Sequence, residues 1–296
     1  MLYILKSAKK GHYNSYIEFL DRILFEKSYK ALEKLDLIKE RPRGQKILLL
    51  DFSMNDLLLI ILWGMRNEVF LISVSIEELY FKKERFLLNR KNLLHVLSKL
   101  NIIEIISTHR GAPYQQKLKC VNTFIYDIQY YDLLPVDTLP FEEPRELINF
   151  KGTQTIVAII NTSTDKYNVL ELETAIRHNP TINFIIVSRK INVPKRDNVI
   201  HIDRFISDPE LYYLYRHFNH FLATTKTNRP SGIFGRTMQF NKFAIILENS
   251  YNETLNYPNS LVIRRLSEIN KIDFRKTPEK FDSSIFNDSS LLVDKF

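Results

Sequence analysis

The feature that most constrains the fold of this chain is an alternation of short apolar runs with segments of helical spacing, which occurs in two series. The runs of the first series cover residues 2–5, 46–52, 69–74, 101–107 and 121–128. The runs of the second series cover residues 155–160, 183–187, 198–203, 220–224, 241–246 and 261–263. This alternation is typical of βαβ units around a mostly parallel sheet. We therefore predict an α/β protein with two Rossmann-like domains.

A proline-rich stretch separates the two series. Between Leu133 and Gly152 the sequence is irregular and contains Pro135, Pro140 and Pro144, which is typical of a domain boundary. We predict a first domain over residues 1–140 and a second over residues 141–296. The chain has 296 residues, of which 45% are hydrophobic, enough for two domains with ordinary cores. The segment from Thr277 onward is predicted to be a loose tail.

The most informative stretch covers residues 226–240, where a strand of the second series leads into a helix. Ser231 is a favourable N-cap. The N–H groups of the first turn would then be unpaired donors, and they belong to Gly232, Ile233, Phe234 and Gly235. Such donors bind phosphate with the help of the helix dipole, and Arg229 and Arg236 add positive charge. A plain capped core helix explains the same local spacing.

The residues from Pro230 to Ile246 resemble the donor-site loop and helix of GT-B glycosyltransferases, in particular bacterial glycosyltransferase family 4-like proteins. In that family a Phe-Gly pair opens the helix, as Phe234 and Gly235 do here, and a strand follows. The resemblance covers the second half of the chain well and the first half by layout. It implies a nucleotide-sugar (donor) domain and an acceptor-side domain, which face each other across a cleft.

One departure concerns the acidic residues of the donor helix. The family carries two glutamates that contact the donor sugar and the ribose, whereas this chain has no acidic residue between Lys226 and Leu247. The resemblance implies that contacts to the donor sugar or ribose come instead from Gln239, Arg236 and Thr162. Gln239 can hydrogen-bond a hydroxyl, but it supplies no charge.

The resemblance implies positive charge for the donor diphosphate after residues 183–187, where Arg189 and Lys190 follow. The departing diphosphate gains negative charge as the glycosidic bond breaks, so a nearby cation stabilises it. Arg189 is the better candidate because its planar fork suits phosphate, while surface solubility explains Lys190 equally well. The resemblance implies a metal-independent reaction and no cofactor other than the donor itself.

Two residues of the first half are candidates for the acceptor side. His12 lies in a Gly-containing loop after the first strand, where GT-B proteins place acceptor contacts, and it is equally consistent with a solvated loop residue. Asp127 stands where the family often has a His-Asp pair. A carboxylate or imidazole in this place can take the proton of an acceptor hydroxyl. The departing diphosphate is an alternative base, and turn capping is an alternative role for Asp127.

The charge of the chain favours anionic partners. It is +8 with an isoelectric point near 9.3, which suits nucleotides, nucleic acid or an anionic membrane surface. No nucleic-acid-binding signature is found. The basic helix expected at residues 77–100 could lie on lipid or be a solvated face. Cys120 alone can form neither an internal disulfide nor a cysteine-based metal site, and with no leader or apolar span we expect a cytoplasmic protein.

These observations favour a glycosyltransferase that moves a hexose from a nucleotide diphosphate sugar to a glycan or lipid-linked acceptor. Bacterial surface polysaccharide assembly, at the inner face of the cell membrane, is implied by the resemblance alone. The alternative is a catalytically silent GT-B-like subunit that binds a partner protein or glycan, and the missing glutamates favour it. The Gly-x-Gly-x-x-Gly and Walker patterns of dinucleotide and P-loop enzymes are absent from the sequence.

Overall fold

The computed structural model describes residues 1–5, 13–25, 27–50, 54–73, 90–112, 114–130, 136–150, 152–160, 169–189, 193, 195–223 and 231–296. The strands are β1 (Leu2–Leu5), β2 (Tyr29–Leu32), β3 (Lys46–Leu49), β4 (Glu68–Ser73), β5 (Glu104–Ser107), β6 (Thr123–Phe124), β7 (Thr155–Ile159), β8 (Asn183–Val187), β9 (Val199–Ile202), β10 (His220–Leu222), β11 (Phe243–Leu247) and β12 (Ser260–Ile263). The α-helices are α1 (Tyr13–Ile23), α2 (Lys34–Glu40), α3 (Leu57–Gly64), α4 (Arg90–Lys99), α5 (Val169–His178), α6 (Asp208–His217), α7 (Gly232–Gln239) and α8 (Ser289–Lys295).

The chain divides into two compact units. The first comprises residues 1–128 together with 287–296, and the second comprises residues 129–286. The boundary that we predicted lies between residues 140 and 141, and the described residues 136–140 belong to the second unit. Each unit has its own sheet and core.

The first unit is built on a parallel sheet with strand order β2-β1-β3-β4-β5-β6 in the part of the chain that is described. Neighbouring strands are in regular register, as in the pairing of Ile4 with Leu48 and of Leu71 with Ile105. The buried residues of β3 and β4 are all Ile, Leu, Val or Phe, as is typical of a parallel sheet with helices on both faces. The predicted α/β architecture is confirmed for this unit.

The second unit is built on a parallel sheet with the order β12-β11-β10-β7-β8-β9 among its described strands. Its core has two layers. One contains Phe184 and Ile245 and packs against α5, and the other contains Phe221 and Tyr215 and packs against α6. This sheet confirms the second Rossmann-like domain that we predicted.

Helix α6 holds the segment that joins the two series of strands. Ser207 begins it with a capping box, in which the side chains of Ser207 and Glu210 each bond a backbone N–H of the other. At its far end Arg216 donates to the carbonyl groups of Val136, Asp137 and Leu139 at 3.0, 3.0 and 3.2 Å. The proline-rich segment is therefore fastened to the second unit.

The C-terminal segment differs from the loose tail that we predicted. Residues 289–295 form α8, which belongs with the first unit. Leu292 is buried, and the ring of Phe296 lies edge-on to that of Phe70, with 5.3 Å between their centroids. The prediction failed because a short polar helix of this kind is stabilised by tertiary contacts, which its local sequence does not reveal.

Candidate functional site

The strand order of the second sheet defines where a ligand is expected to bind. From β7 the chain continues to β8 and β9 on one side, and then returns to β10, β11 and β12 on the other side. Open parallel sheets bind ligands beyond the carboxyl ends of the strands, at the point where the strand order reverses. In this unit that point lies between β7 and β10. Helix α7, which carries most of the predicted donor residues, is the helix that connects β10 to β11.

The start of α7 is the N-terminus that the sequence predicts. Ser231 is the N-cap, with extended backbone angles, and its hydroxyl accepts a hydrogen bond from the N–H of Phe234 at 3.5 Å. Its carbonyl accepts from the N–H of Gly235 at 2.9 Å. Two of the four donors that we expected to be unpaired are thus satisfied within the helix. Within the described residues, Gly232 and Ile233 remain as donors for an anion.

The inner face of α7 is part of the core. Phe234, Gly235, Thr237 and Met238 are buried, and the Thr237 hydroxyl donates to the carbonyl of Ile233 at 2.7 Å. The capped core helix that we considered as an alternative therefore describes this face correctly. A core helix and an anion-binding N-terminus are compatible, because packing of the inner face holds the helix in place and leaves the N–H groups of its first turn as donors.

Arg236 and Gln239, which we predicted to contact the donor sugar or ribose, contact each other. The Arg236 Nη1 donates to Gln239 Oε1 at 2.8 Å, and the guanidinium lies 5.7 Å from the centre of the Tyr212 ring. Gln239 is itself buried. Its amide oxygen is therefore already engaged by Arg236.

Arg189 lies at the carboxyl edge of the same sheet. It follows β8 after Ser188 and is exposed. The N–H of Ser188 donates to the carbonyl of Ile202 at 3.1 Å, while the Ser188 carbonyl lies 3.0 Å from Nε2 of His201. These bonds fix the backbone that presents Arg189. Of the other predicted donor residues, Thr162 and Lys190 lie outside the described residues, as does Arg229.

Buried polar atoms at this edge were missed by the sequence interpretation. Within the described residues, the hydroxyl oxygens of Ser188 and Ser250 and the side-chain oxygen of Asn252 are buried without a hydrogen-bond partner. The amide nitrogen of Asn252 donates to the carbonyl of Ala223, directly after β10, at 3.2 Å. Buried polar groups are nearly always satisfied, so a ligand or water is expected beside them. Their local sequence carries no signal, because strand order alone brings them to one edge.

Asp127 of the first unit is a buried carboxylate after β6. Its Oδ1 accepts a hydrogen bond from the hydroxyl of Tyr16, on α1, at 3.2 Å. The neighbouring N–H of Tyr126 donates to the carboxylate of Asp288 at 2.7 Å, and Arg110 forms an ion pair with the same carboxylate. The backbone before Asp127 is thus fixed by the C-terminal segment. The other predicted acceptor-side residue, His12, lies outside the described residues.

A second buried polar group follows β5, and the sequence interpretation did not include it among the site residues. His109 is fully buried, with Nδ1 2.9 Å from the hydroxyl of Ser107. Because β5 and β6 are neighbours, the Ser107–His109 pair and Asp127 lie at the same edge of the first sheet. A histidine directly after a predicted strand was the available sequence signal.

The described residues offer neither a metal-binding cluster nor a membrane-spanning helix. They contain no group of three or more His, Cys, Asp or Glu side chains that could hold a metal ion. Among the described helices, none has both the length and the apolar character that crossing a membrane requires.

Comparison with known proteins gives matches in structure. No protein-family model and no curated protein matches the sequence. A sucrose-phosphate synthase from Thermosynechococcus elongatus aligns with a TM-score of 0.59 at 11% identity, over 88% of this chain and 85% of that chain. A UDP-forming α,α-trehalose-phosphate synthase from Burkholderia xenovorans aligns with a TM-score of 0.53 at 10% identity, over 90% and 71%. The N-terminal domain of trehalose-6-phosphate phosphatase from Candida albicans also gives 0.53, at 14% identity, over 98% and 73%.

These likenesses show the fold. The chain has the GT-B fold, with two Rossmann-like units, as its sequence predicts. Identities of 10–14% do not transfer an activity.

Proposed function

We propose that this chain is a glycosyltransferase that moves a hexose from a nucleotide diphosphate sugar to a glycan or lipid-linked acceptor. The observation that carries the proposal is the carboxyl edge of the second sheet. There α7 begins with a capped N-terminus, Arg189 is exposed, and the side chains of Ser188 and Asn252 hold buried polar atoms that have no partner among the described residues. In a nucleotide diphosphate, the phosphates are the anion that the helix N-terminus and Arg189 can bind. Its other polar groups can form hydrogen bonds with the buried polar atoms.

In the proposed reaction the diphosphate lies in front of α7. The N–H groups of Gly232 and Ile233 donate to its oxygens, and the positive end of the helix dipole stabilises its charge. Arg189 pairs with the diphosphate as the bond to the sugar breaks and negative charge grows on the leaving group. No metal ion takes part in this scheme.

Asp127 is the proposed base of the acceptor side. It takes the proton of the acceptor hydroxyl as that oxygen attacks the anomeric carbon. The hydrogen bond from Tyr16 holds the carboxylate in one orientation. His12 is the second candidate for this role, and the departing diphosphate is the alternative base.

The names of two structurally similar proteins support this choice of reaction. Both are sugar-phosphate synthases, and one is described as UDP-forming, so UDP is the first nucleotide to test. We extend the proposal to surface polysaccharide assembly in bacteria, with the protein at the inner face of the cell membrane.

A second candidate function is a catalytically silent subunit that binds a partner protein or glycan. The acid-free sequence of α7 favours it, since the second family glutamate falls near Gln239, which is neutral and bonds Arg236. The similar structure from Candida albicans is the N-terminal domain of a phosphatase, so the fold is also found in a protein that is not named as a glycosyltransferase. The two functions are distinguished by whether the purified protein consumes any nucleotide sugar.

The first test is a thermal-shift screen against UDP, GDP, CDP, ADP and dTDP, with and without magnesium. A ligand that binds the folded state raises the melting temperature, and we expect one nucleotide to do so without magnesium. Arg189→Ala should weaken that nucleotide's binding about tenfold or more, since an ionic contact to phosphate is lost. Arg196→Ala, an exposed arginine of the same unit, is the control and should bind normally. If no nucleotide shifts the wild type, the silent subunit is favoured.

A further inference from the structure

The first unit exposes five large apolar side chains on or beside two neighbouring helices. Helix α3 consists of Leu, Ile, Trp and Gly residues only. Its inner face is buried through Ile60 and Trp63, and Gly64 approaches Ile102 so closely that an added Cβ would collide with the Ile102 carbonyl. Its outer face carries Leu58, Leu62 and, one residue beyond the helix, Met65, which are 70%, 37% and 63% exposed. The spacing of these three residues places them on one side of a helix.

Helix α2 extends this apolar surface. Leu35 and Ile38 are 70% and 37% exposed and are three residues apart. Helices α2 and α3 both connect strands in the same direction across the sheet, from β2 to β3 and from β3 to β4. Because such connections are right-handed, both helices lie on one face of the sheet. Their exposed apolar residues therefore belong to one surface of the unit.

Direct contacts hold the two helices side by side. Lys34, the first residue of α2, forms an ion pair with Asp56, directly before α3. At the other end, the N–H of Gly44 donates to the carbonyl of Arg66 at 2.8 Å, and the side chain of Asn67 donates to the carbonyl of Pro42 at 3.1 Å. The starts of the two helices thus lie together, and so do their ends.

Exposed arginines cluster where the two helices end. Arg41 and Arg43 follow α2, and Arg66 follows Met65. None of the three forms an ion pair with a described residue, and they outnumber the two carboxylates here that also lack an ion pair with a described residue, Glu33 before α2 and Glu68 at the start of β4. Other charges of this surface are neutralised locally, since Lys39 pairs with Asp36 at 3.2 Å and Lys30 pairs with Glu40 at 3.1 Å. The free charge beside the apolar residues is therefore positive.

We propose that this α2–α3 surface binds the face of an anionic lipid bilayer, with Leu58, Leu62, Met65 and Leu35 inserted among the acyl chains and the three arginines paired with lipid phosphates. Apolar side chains gain from burial among the acyl chains, and neighbouring arginines are attracted to the anionic headgroups. A second protein could also bury the apolar residues. The three arginines, however, are best neutralised by a surface with many anionic groups, such as anionic lipid. The surface gives a location to the membrane attachment proposed above, in a region other than the basic helix that the sequence indicated. It does not depend on the catalytic assignment, so vesicle binding and nucleotide binding can fail independently.

The test is co-sedimentation of the full chain with vesicles of phosphatidylcholine, and with vesicles of phosphatidylcholine mixed with phosphatidylglycerol. We expect binding to the mixed vesicles only, weakening as salt is raised. The pair Leu58→Ser and Met65→Ser should lower the affinity at least tenfold, and the pair Arg43→Gln and Arg66→Gln should lower it by about fivefold for each arginine.

Two matched controls use exposed residues of the second unit. The pair Leu170→Ser and Phe205→Ser replaces side chains that are 75% and 74% exposed, and the pair Arg177→Gln and Arg196→Gln replaces exposed arginines. Both pairs should bind vesicles like the wild type. Equal losses in the controls would show that the overall charge of +8 acts generically, and would overturn the proposal.

Light scattering on the same variants decides between lipid and a second copy of the chain. A wild-type dimer that the serine pair converts to a monomer, without vesicle binding by either, would mean that the surface joins two protomers and that the proposal is wrong. Because all of the replaced side chains are exposed, unchanged melting temperatures are expected. With unchanged melting temperatures, a loss of vesicle binding can be assigned to the altered surface and not to unfolding.

Discussion

Arg204 joins two glutamates that come from different parts of the second unit. Its Nε and Nη2 donate to the two carboxylate oxygens of Glu146 at 2.8 Å each, and its Nη1 and Nη2 donate to those of Glu210 at 2.9 and 2.5 Å. Hydrogen bonds from Arg204 lower the pKa of Glu210 to about 2 and also lower the pKa of Glu146. The arginine therefore fastens the proline-rich segment to the start of α6.

Replacing Arg204 with methionine should destabilise the second unit at neutral pH by about 2 kcal/mol, because two carboxylates lose the arginine that they share. The wild-type contribution is present above pH 4.5, the ordinary pKa of these groups, and is lost as the pH falls towards 2, where Glu210 is protonated in the folded state. The deficit of the variant should therefore shrink over this range. Urea denaturation at several pH values measures it.

Arg145→Met is the control for this experiment. The Arg145 side chain is 78% exposed, and it meets Glu146 at 3.3 Å, so the variant should lose less than about 1 kcal/mol. Equal losses for Arg145→Met and Arg204→Met would contradict a specific role for the Arg204 bridge.

His220 is a core histidine at the start of β10. It is 4% exposed and packs against the rings of Phe243 and Phe274, at centroid distances of 5.0 and 4.6 Å. Burial lowers its pKa to about 4, because the charged imidazole would lose its hydration. Between pH 6.5 and 4 the unfolded chain therefore binds a proton here that the folded chain does not.

Acidification should consequently destabilise the protein through His220. The free energy of unfolding should fall from pH 6.5 downwards, by up to about 3 kcal/mol near pH 4 from this residue. His220→Phe should remove this part of the pH dependence, as measured by urea denaturation along the pH range. His178→Gln, at an exposed histidine, serves as the control. A variant with the same pH slope as the wild type would rule out His220 as the origin.

Residues whose roles are local are those that the sequence predicts well. Ser231 caps α7 as expected, since capping depends on a residue and the next three positions. The bond between Arg236 and Gln239 is also local, at a spacing of three residues, and could have been anticipated. Ser188 and Asn252 could not, because their shared edge is created by the order of strands.

At the scale of elements, α8 shows how a short segment is held by distant residues. The carboxylate of Asp288, directly before α8, accepts from the N–H of Tyr126 and pairs with Arg110. Further along, Lys295 forms an ion pair with Glu104, and its carbonyl accepts from Lys46 at 2.5 Å. The helix thus spans the first sheet from the carboxyl end of β5 to the amino end of β3.

Asp288→Ala should detach the start of this helix. It removes two charge-assisted contacts from a buried carboxylate, so we expect a loss of about 2–3 kcal/mol in stability. Hydrogen exchange should increase in residues 289–296 and around Tyr126. Asp294→Ala changes an exposed carboxylate of the same helix and should leave both measurements unchanged. Unaltered exchange in Asp288→Ala would mean that apolar contacts alone hold α8.

Elements with a long apolar pattern were predicted, and short mixed ones were missed. The strands at residues 183–187 and 2–5 were predicted with the bounds of β8 and β1. The sequence interpretation passed over β2 and α2, whose residues alternate between apolar and charged types without a clear period. The edge position of β2 explains this, because an edge strand needs less apolar surface than a central one.

At the scale of the whole molecule, alternation predicts parallel sheets but not the order of their strands. The two units differ in this respect, since the first sheet reverses between β1 and β3 and the second between β7 and β10. Strand order depends on which crossovers pack best, which is a property of tertiary structure. The structure therefore confirms the two predicted sheets, while the position of each switch point could be read only from the structure.

The position of the second switch point predicts where a nucleotide protects the chain. With the nucleotide selected by thermal shift, amide exchange should slow at the start of α7 and around Ser188 and Asn252, because bound phosphate accepts from the N–H groups there. Peptides that cover β4 and β5 of the first unit should exchange as before. Wild-type protein and the Arg189→Ala variant, each with and without nucleotide, are compared by mass spectrometry. Protection confined to the first unit would mean that the nucleotide binds at the first sheet. It would also contradict the role proposed for Arg189.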